Sequence, residues 1–433
     1  MVEKFFYSYL ILLPLMSLPK LPFMGSKIQY ADLVFVPICI FFLLDLIRGR
    51  IKLKLGKYCY ILFPLSVLSL GAFLHSNSKD ISLMDFIGVN YLFIVFIVFS
   101  SIIREKKILE RAMVLLLIVI SAVCLWGLLA FACYRYLGIE WMSRFLFISN
   151  DKSAVFSSSR IASFLGLPEM FTNFSLFGLA AVFFFCVFQK TKARLPKYLL
   201  YLILIAAIFG FSRSLAGIAT FLALMVFYFK DNRLTNILLK IISVKAVLFI
   251  LAFAIMTSVF VFYPVTFNSN NSALGLSVNL APDVRFYLAK SAIAIIKSHP
   301  FLGIGQGLFT YSFAEYLNPV DLKELLLTLK DRSVLNIDPH SLYLGIAAEM
   351  GVIFLLVFMI FIALILFKLL QVVLTKQADD WLSKGGFIIF AAIMAFLING
   401  FFVDILSMRF FWVLLALGGG IINLSLQYNK AKQ

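Results

Sequence analysis

Residues 338–367 read DPHSLYLGIAAEMGVIFLLVFMIFIALILF, and after Asp338-Pro339-His340-Ser341 the only charged side chain is Glu349. From Leu342 onward the run is long enough to cross about 30 Å of hydrocarbon as a helix rising about 1.5 Å per residue. It follows the longest polar interval in the chain, from about Asn268 to His340, which carries two of the three histidines and the Gly-rich turn Gly303-Ile304-Gly305-Gln306-Gly307. Lipid does not tolerate irregular polar backbone, so this interval lies outside the bilayer. A polar working loop feeding a buried apolar helix is the expected organisation.

Composition agrees. Of 433 residues, 63% are hydrophobic and 14% charged, and the mean hydropathy is +1.02, against about 45–50% and about 25% in soluble domains. About twelve apolar segments reach spanning length: 5–18, 31–47, 58–75, 85–102, 112–136, 171–189, 198–211, 214–229, 246–264, 342–367, 386–402 and 410–427. The fold class expected is an all-α polytopic membrane protein with a large helical extracytoplasmic loop, 265–341, between spans nine and ten. Three parts follow: N-terminal spans in 1–197, a central region in 198–365 that holds the large loop, and C-terminal spans in 366–433. The first apolar run lacks a small-residue cleavage site and is followed by more spans, which does not suit a cleaved signal peptide.

Every second loop is basic: Arg48 to Lys57, Arg104 to Arg111, Lys190 to Lys197, Lys230 to Lys245 and Lys368 to Lys384. The positive-inside bias places these loops and both termini in the cytoplasm, and accounts for the net charge of +17 without nucleic acid. Loops 137–170 and 265–341 then face the opposite side. The five cysteines lie in or beside apolar runs without paired spacing, which suits neither a disulfide framework nor zinc.

In the large loop the pattern is helical. Val284–Ser298 follows a candidate cap at Asp283 and ends before His299-Pro300, and Val320–Asp331 repeats leucine at 322, 325, 326 and 329. The second stretch either lies in the membrane interface or covers the mouths of the spans.

Few residues are placed for chemistry. Arg213 lies in a tight hairpin, Ser212-Arg213-Ser214, between two apolar runs, where it either receives a phosphate or carboxylate or snorkels to the headgroups. Arg285 points roughly 130° away from the face shared by Lys290 and Lys297, which suits one arginine turned to a site, or three solvated cations. His340 is either a proton acceptor for a hydroxyl nucleophile or a helix-start packing residue, and Asp338 either orients its ring or caps the span. Glu349 lies about 13 Å deeper on the opposite helical face, which suits a structural hydrogen bond between spans. Arg409 either pairs with Asp404 or adds a cation on the outer face. His75 and His299 read as interfacial and helix-ending residues.

No P-loop, HExxH or outer-loop DxD pair is present, so metal-dependent transfer from a nucleotide sugar has no sequence support. A cationic outer face with one histidine suits an acidic, lipid-borne substrate: arginines hold a diphosphate and the histidine activates a hydroxyl. A transporter or flippase for such a lipid would show paired broken helices in both halves, and this chain is asymmetric.

Three blocks resemble the O-antigen ligase/polymerase family of bacterial envelope glycosyltransferases. They are Phe211-Ser212-Arg213-Ser214-Leu215-Ala216-Gly217, Val284-Arg285-Phe286 with Pro300-Phe301-Leu302-Gly303-Ile304-Gly305, and His340-Ser341-Leu342-Tyr343-Leu344 with Ala348-Glu349-Met350-Gly351. The third departs from the family pattern at Ser341, where asparagine is usual. The resemblance implies a metal- and cofactor-independent transferase of the bacterial inner membrane with its site facing the periplasm. Arg213 and Arg285 would hold the diphosphate of an undecaprenyl-linked glycan, and His340 would assist the incoming hydroxyl. Asp338, Glu349 and Arg409 are supporting candidates. The span count and loop placement look most like the ligase, whose partners are the lipid-linked donor, a lipid A–core acceptor and membrane lipids. A repeat-unit polymerase or a protein O-oligosaccharyltransferase remains the alternative.

Overall fold

The computed structural model describes residues 1–16, 27–50, 56–148, 159–188, 194–210, 212–229, 265–268, 277–280, 284–329, 337–375 and 380–432. The helices of the first half are α1 (Val2–Leu12), α2 (Tyr30–Ile47), α3 (Leu62–His75), α4 (Lys79–Ile102), α5 (Lys106–Leu137), α6 (Pro168–Phe188), α7 (Arg194–Gly210) and α8 (Leu215–Tyr228). The second half adds α9 (Val284–Ser298), α10 (Phe309–Ser312), α11 (Pro319–Leu329), α12 (Leu342–Leu374), α13 (Asp380–Asn399) and α14 (Arg409–Lys432).

Among the described residues, eight helices are long and apolar enough to cross a membrane: α2, α3 with the 3₁₀ turn before it, α4, α5, α6, α12, α13 and α14. The expected spans 198–211 and 214–229 are the shorter apolar helices α7 and α8, and that expected at 5–18 is the 11-residue α1. The span expected at 246–264 lies outside the described residues. The chain is an all-α polytopic membrane protein.

Apolar helices in lipid gain little from burying more apolar surface, so close shape matching and buried polar contacts decide which pack inside. The most enclosed are α14, with 89% of its apolar window buried, and α6, with 78%; α2, at 22%, lies on the outside. Residues 410–417 of α14 are wholly buried, and Trp412 meets Phe93 of α4 and Phe361 of α12. At one end of the bundle Arg104 reaches Glu3 and the Arg50 carbonyl, which gathers the N-terminus and two basic loops. The polar segments 284–329 and 337–341 and the turn 400–408 lie at the other.

Two short antiparallel hairpins break the all-helical reading of the loops. Leu146–Ile148 (β1) pairs with Ser159–Ile161 (β2), and Val265–Asn268 (β3) with Ser277–Leu280 (β4). Their Val, Ile and Phe content suits short ribbons. The loop helices lie close to expectation: α9 spans 284–298, and α11 covers 319–329 where 320–331 was read. The capping residue expected at Asp283 lies outside the described residues. α11 packs on α9: Leu325 is fully buried in a satellite core with Tyr287, Leu288 and Ile295. Tyr287 bonds Glu324 and Lys290 bonds Asp321. This small core sits on the start of α12 through Ala348.

Candidate functional site

The long apolar helix α12 is interrupted at Gly351, whose backbone is left-handed at φ 86° and ψ 162°. The interruption frees backbone groups, and the Gly-rich turn takes them. Ile304 N–H donates to the Ala348 carbonyl at 3.0 Å, Gly305 N–H to the Glu349 carbonyl at 3.0 Å, and Val352 N–H to the Pro300 carbonyl at 2.8 Å. Contact is so close that a Cβ on Gly303 would lie 2.4 Å from the Glu349 carbonyl carbon, and one on Gly351 1.9 Å from the Phe301 oxygen. Glycine is required at both positions, since φ is also positive at each.

The Glu349 carboxylate closes the same joint by accepting the Gly307 and Phe309 N–H groups at 2.9 and 3.1 Å. Its partners are therefore loop backbone, where a bond between spans was expected. Gln306, buried, donates to Ser69 Oγ at 2.7 Å and accepts from Ser82 Oγ at 2.7 Å, which seats the turn against α3 and α4.

At its N-terminus α12 is capped by Ser341, whose hydroxyl accepts Leu344 N–H at 3.5 Å, so serine fills a capping role there. Just before it, His340 adopts φ 48°, uncommon for a residue other than glycine although histidine, like Asn and Asp, tolerates it better than most. Asp338 holds that conformation: its Oδ1 accepts the His340 backbone N–H at 2.6 Å and lies 3.0 Å from Nδ1. With the ring proton on Nδ1 and donated to Asp338, the lone pair is on Nε2. Half of the Asp338 side-chain surface is exposed, yet desolvation by surrounding protein raises its carboxyl above the ordinary range. The His340 N–H and Arg285 pull it back and Glu169 pushes it up.

Arg285 lies in the first turn of α9, 15% exposed, while Lys290 and Lys297 point outward. Its Nη1 donates to the Phe402 carbonyl at 3.0 Å and its Nη2 lies 3.6 Å from Glu169 Oε1, at the start of α6. The neighbouring Gly400 carbonyl accepts Leu342 N–H at 2.8 Å, so one turn, 400–404, ties both Arg285 and the His340 segment. Asp404 belongs to that turn. Burial pushes its carboxyl up to about 6, the Leu406 N–H lowers it and Asp338 raises it.

Arg213 is held from below. Ser212 Oγ donates to Thr172 Oγ1 at 2.9 Å, and Ser214 Oγ accepts from Asn173 Nδ2 at 3.1 Å. Asn399 of α13 donates to Asn173 Oδ1 at 2.7 Å and accepts Gly217 N–H at 2.8 Å. Arg409 is engaged elsewhere: it grips both Asp32 oxygens, from Nε at 2.8 Å and Nη2 at 2.6 Å, with Tyr91 on the same carboxylate at 2.7 Å. It therefore pairs with Asp32 and not with Asp404.

Arg285, His340 and Asp338 are thus gathered around the 400–404 turn. Arg213 joins them through α6, which touches both arginine segments, while Glu349 and Arg409 lie in separate structural contacts. Sequence reading missed Glu169, Thr172, Asn173 and Asn399. Two asparagines inside apolar runs were the available signal, since such polar groups are costly in lipid unless partnered.

No curated protein matches the chain. Residues 198–359 match the family model described as O-antigen ligase, a stretch that holds Arg213, Arg285, Asp338, His340 and the Gly303–Gly351 joint. The match supports the O-antigen ligase/polymerase family for this domain of a membrane protein.

Proposed function

We propose that the protein is an O-antigen ligase, which transfers a glycan from undecaprenyl diphosphate to a hydroxyl of lipid A–core at the periplasmic face of the inner membrane. The observation that carries the chemistry is the Asp338-braced His340 beside Arg285, the two joined through the 400–404 turn.

The acceptor oxygen attacks the anomeric carbon of the donor sugar while the bond from that carbon to the phosphate oxygen breaks. The hydroxyl proton passes to His340 Nε2, and the positive ring is stabilised by Asp338. The departing lipid diphosphate keeps the bonding electron pair, and Arg213 and Arg285 offset its charge with planar donors suited to phosphate. Glu169 lies 3.6 Å from the Arg285 guanidinium, and a diphosphate would compete with it for that group.

The test is an envelope-polysaccharide gel from cells lacking the gene, complemented with wild type or His340→Ala. A ligase requires the deletion to leave lipid A–core unmodified while long lipid-linked chains accumulate. His340→Ala should complement about 100-fold less well or worse, given what a positioned general base contributes. Core capped by a single repeat would assign a polymerase. An unchanged ladder would refute both.

A further inference from the structure

Both arginine segments rest on the first two turns of α6, which lies outside residues 198–359. Glu169 faces Arg285, with 3.6 Å between Oε1 and Nη2. Thr172 accepts from Ser212 at 2.9 Å and donates its own proton to the Pro168 carbonyl at 2.9 Å. Asn173 donates to Ser214 at 3.1 Å and to the Glu169 carbonyl at 2.9 Å. The residues on either side of Arg213 are therefore both tied to α6 through fully buried side chains.

The neighbouring helices approach closely enough to make these bonds. A Cβ on Gly210, at the end of α7, would stand 3.0 Å from Thr172 Oγ1, and one on Gly217, in α8, 2.4 Å from Asn399 Nδ2. A side chain at either place would push the hairpin off its supports.

An arginine side chain is long, so its binding geometry is only as defined as the backbone that carries it. Two cations that share one diphosphate must be held within roughly 0.5 Å of the productive separation. Buried hydrogen bonds in an apolar surround provide that rigidity, because water is not available to replace a broken one.

We propose that the start of α6 sets the separation of Arg213 and Arg285, with Glu169, Thr172 and Asn173 as positioning residues for a lipid diphosphate. This rests on the diphosphate-transfer reading above. None of the three needs to touch the substrate; each acts through an arginine segment.

Thr172 gives the cleanest test, because valine keeps its shape and removes the acceptor, whereas serine keeps the hydroxyl. Equilibrium binding of undecaprenyl diphosphate to the purified full chain in detergent is measured for wild type, Thr172→Val, Thr172→Ser, Arg213→Ala and Thr172→Val/Arg213→Ala. Thr172→Val should weaken binding about 10-fold and Thr172→Ser by less than about 2-fold, and Thr172→Val should add less than about 2-fold once Arg213 is gone. Wild-type affinity for Thr172→Val, or its full loss repeated in the Arg213→Ala background, overturns the positioning role while leaving the diphosphate reading intact. If Arg213→Ala binds too weakly to compare, the valine–serine pair decides: equal losses overturn the proposal. No binding by wild type, or no effect of Arg213→Ala, overturns the diphosphate reading and the positioning role with it.

Discussion

Gly351→Ala perturbs the joint between α12 and the Gly-rich turn at one atom. Alanine at φ 86° and ψ 162°, a conformation essentially confined to glycine, costs about 1–3 kcal/mol. Its Cβ would also meet the Phe301 oxygen at 1.9 Å and carbon at 2.3 Å, backbone atoms that cannot rotate away. Relief requires residues 300–302 to withdraw, which breaks the Val352–Pro300, Ile304–Ala348 and Gly305–Glu349 hydrogen bonds. At about 0.5–1.5 kcal/mol net for each bond and about 1–3 kcal/mol of backbone strain, the total comes to about 2.5–7.5 kcal/mol. A tenfold change in an equilibrium costs about 1.4 kcal/mol, so docking of the turn should weaken by at least about 60-fold. The spans themselves keep their packing. Limited proteolysis in membranes should then cut within 300–329 while the helical bundle survives, and the envelope glycan should lose its ligated chains. Gly345→Ala is the matched control on the same helix: its nearest neighbour would be Pro339 Cγ at 3.9 Å, and alanine favours a helix by about 1 kcal/mol. Wild-type proteolysis and glycan from Gly351→Ala, or equal damage from Gly345→Ala, would refute the joint.

Asp338→Asn keeps an acceptor for the His340 N–H but removes the charge beside the ring, so turnover should fall about 10- to 100-fold with donor KM little changed; a change confined to KM would count against a role in proton transfer. Asp404, raised to about 6 from 3.8, keeps a proton in the folded protein that the unfolded chain has already released. Stability should therefore fall as pH rises between about 4 and 6 and level off above, and Asp404→Asn should remove that slope in thermal unfolding at fixed ionic strength; a slope that survives the substitution refutes the assignment. Asp32→Ala leaves the Arg409 guanidinium, only 15% exposed, without its carboxylate, and should destabilise by about 3–5 kcal/mol, more than Asp32→Ala/Arg409→Met does. Equal unfolding temperatures for the two variants would sink that account.

Much of the fold was legible because lipid imposes strong rules. Apolar runs of spanning length gave α2 to α6 and α12 to α14, and an apolar–polar switch at Ser341 marked where α12 begins. Helical periodicity also carried through: Arg285 is turned inward while Lys290 and Lys297 face out, one of the two arrangements their angular separation allowed. The same periodicity separated Glu349 from His340, but could not name its partners. Those are N–H groups of Gly307 and Phe309, forty-two and forty residues away, brought within reach by the joint at Gly351. Arg409 fails for a related reason: its carboxylate, Asp32, is 377 residues distant, and nothing local distinguishes it from Asp404.

The support beneath Arg213 is the more instructive omission. A hairpin of three residues makes too few backbone contacts to fix its own height, so its position is set by whichever side chains meet it. Here those are Thr172 and Asn173, about 40 residues earlier, and Asn399, 182 residues after Gly217. Sequence spacing is silent about such pairings, but composition is not. An asparagine inside an apolar run must find a donor and an acceptor within the protein or pay heavily for its burial. Asn399 donates to Asn173, and each then bonds the start of α8: Asn173 donates to Ser214, as well as to the Glu169 carbonyl, and Asn399 accepts the Gly217 N–H. Buried amides that close on each other and on a cation-bearing hairpin leave it little freedom to shift, which is the condition the proposed two-arginine anion site needs.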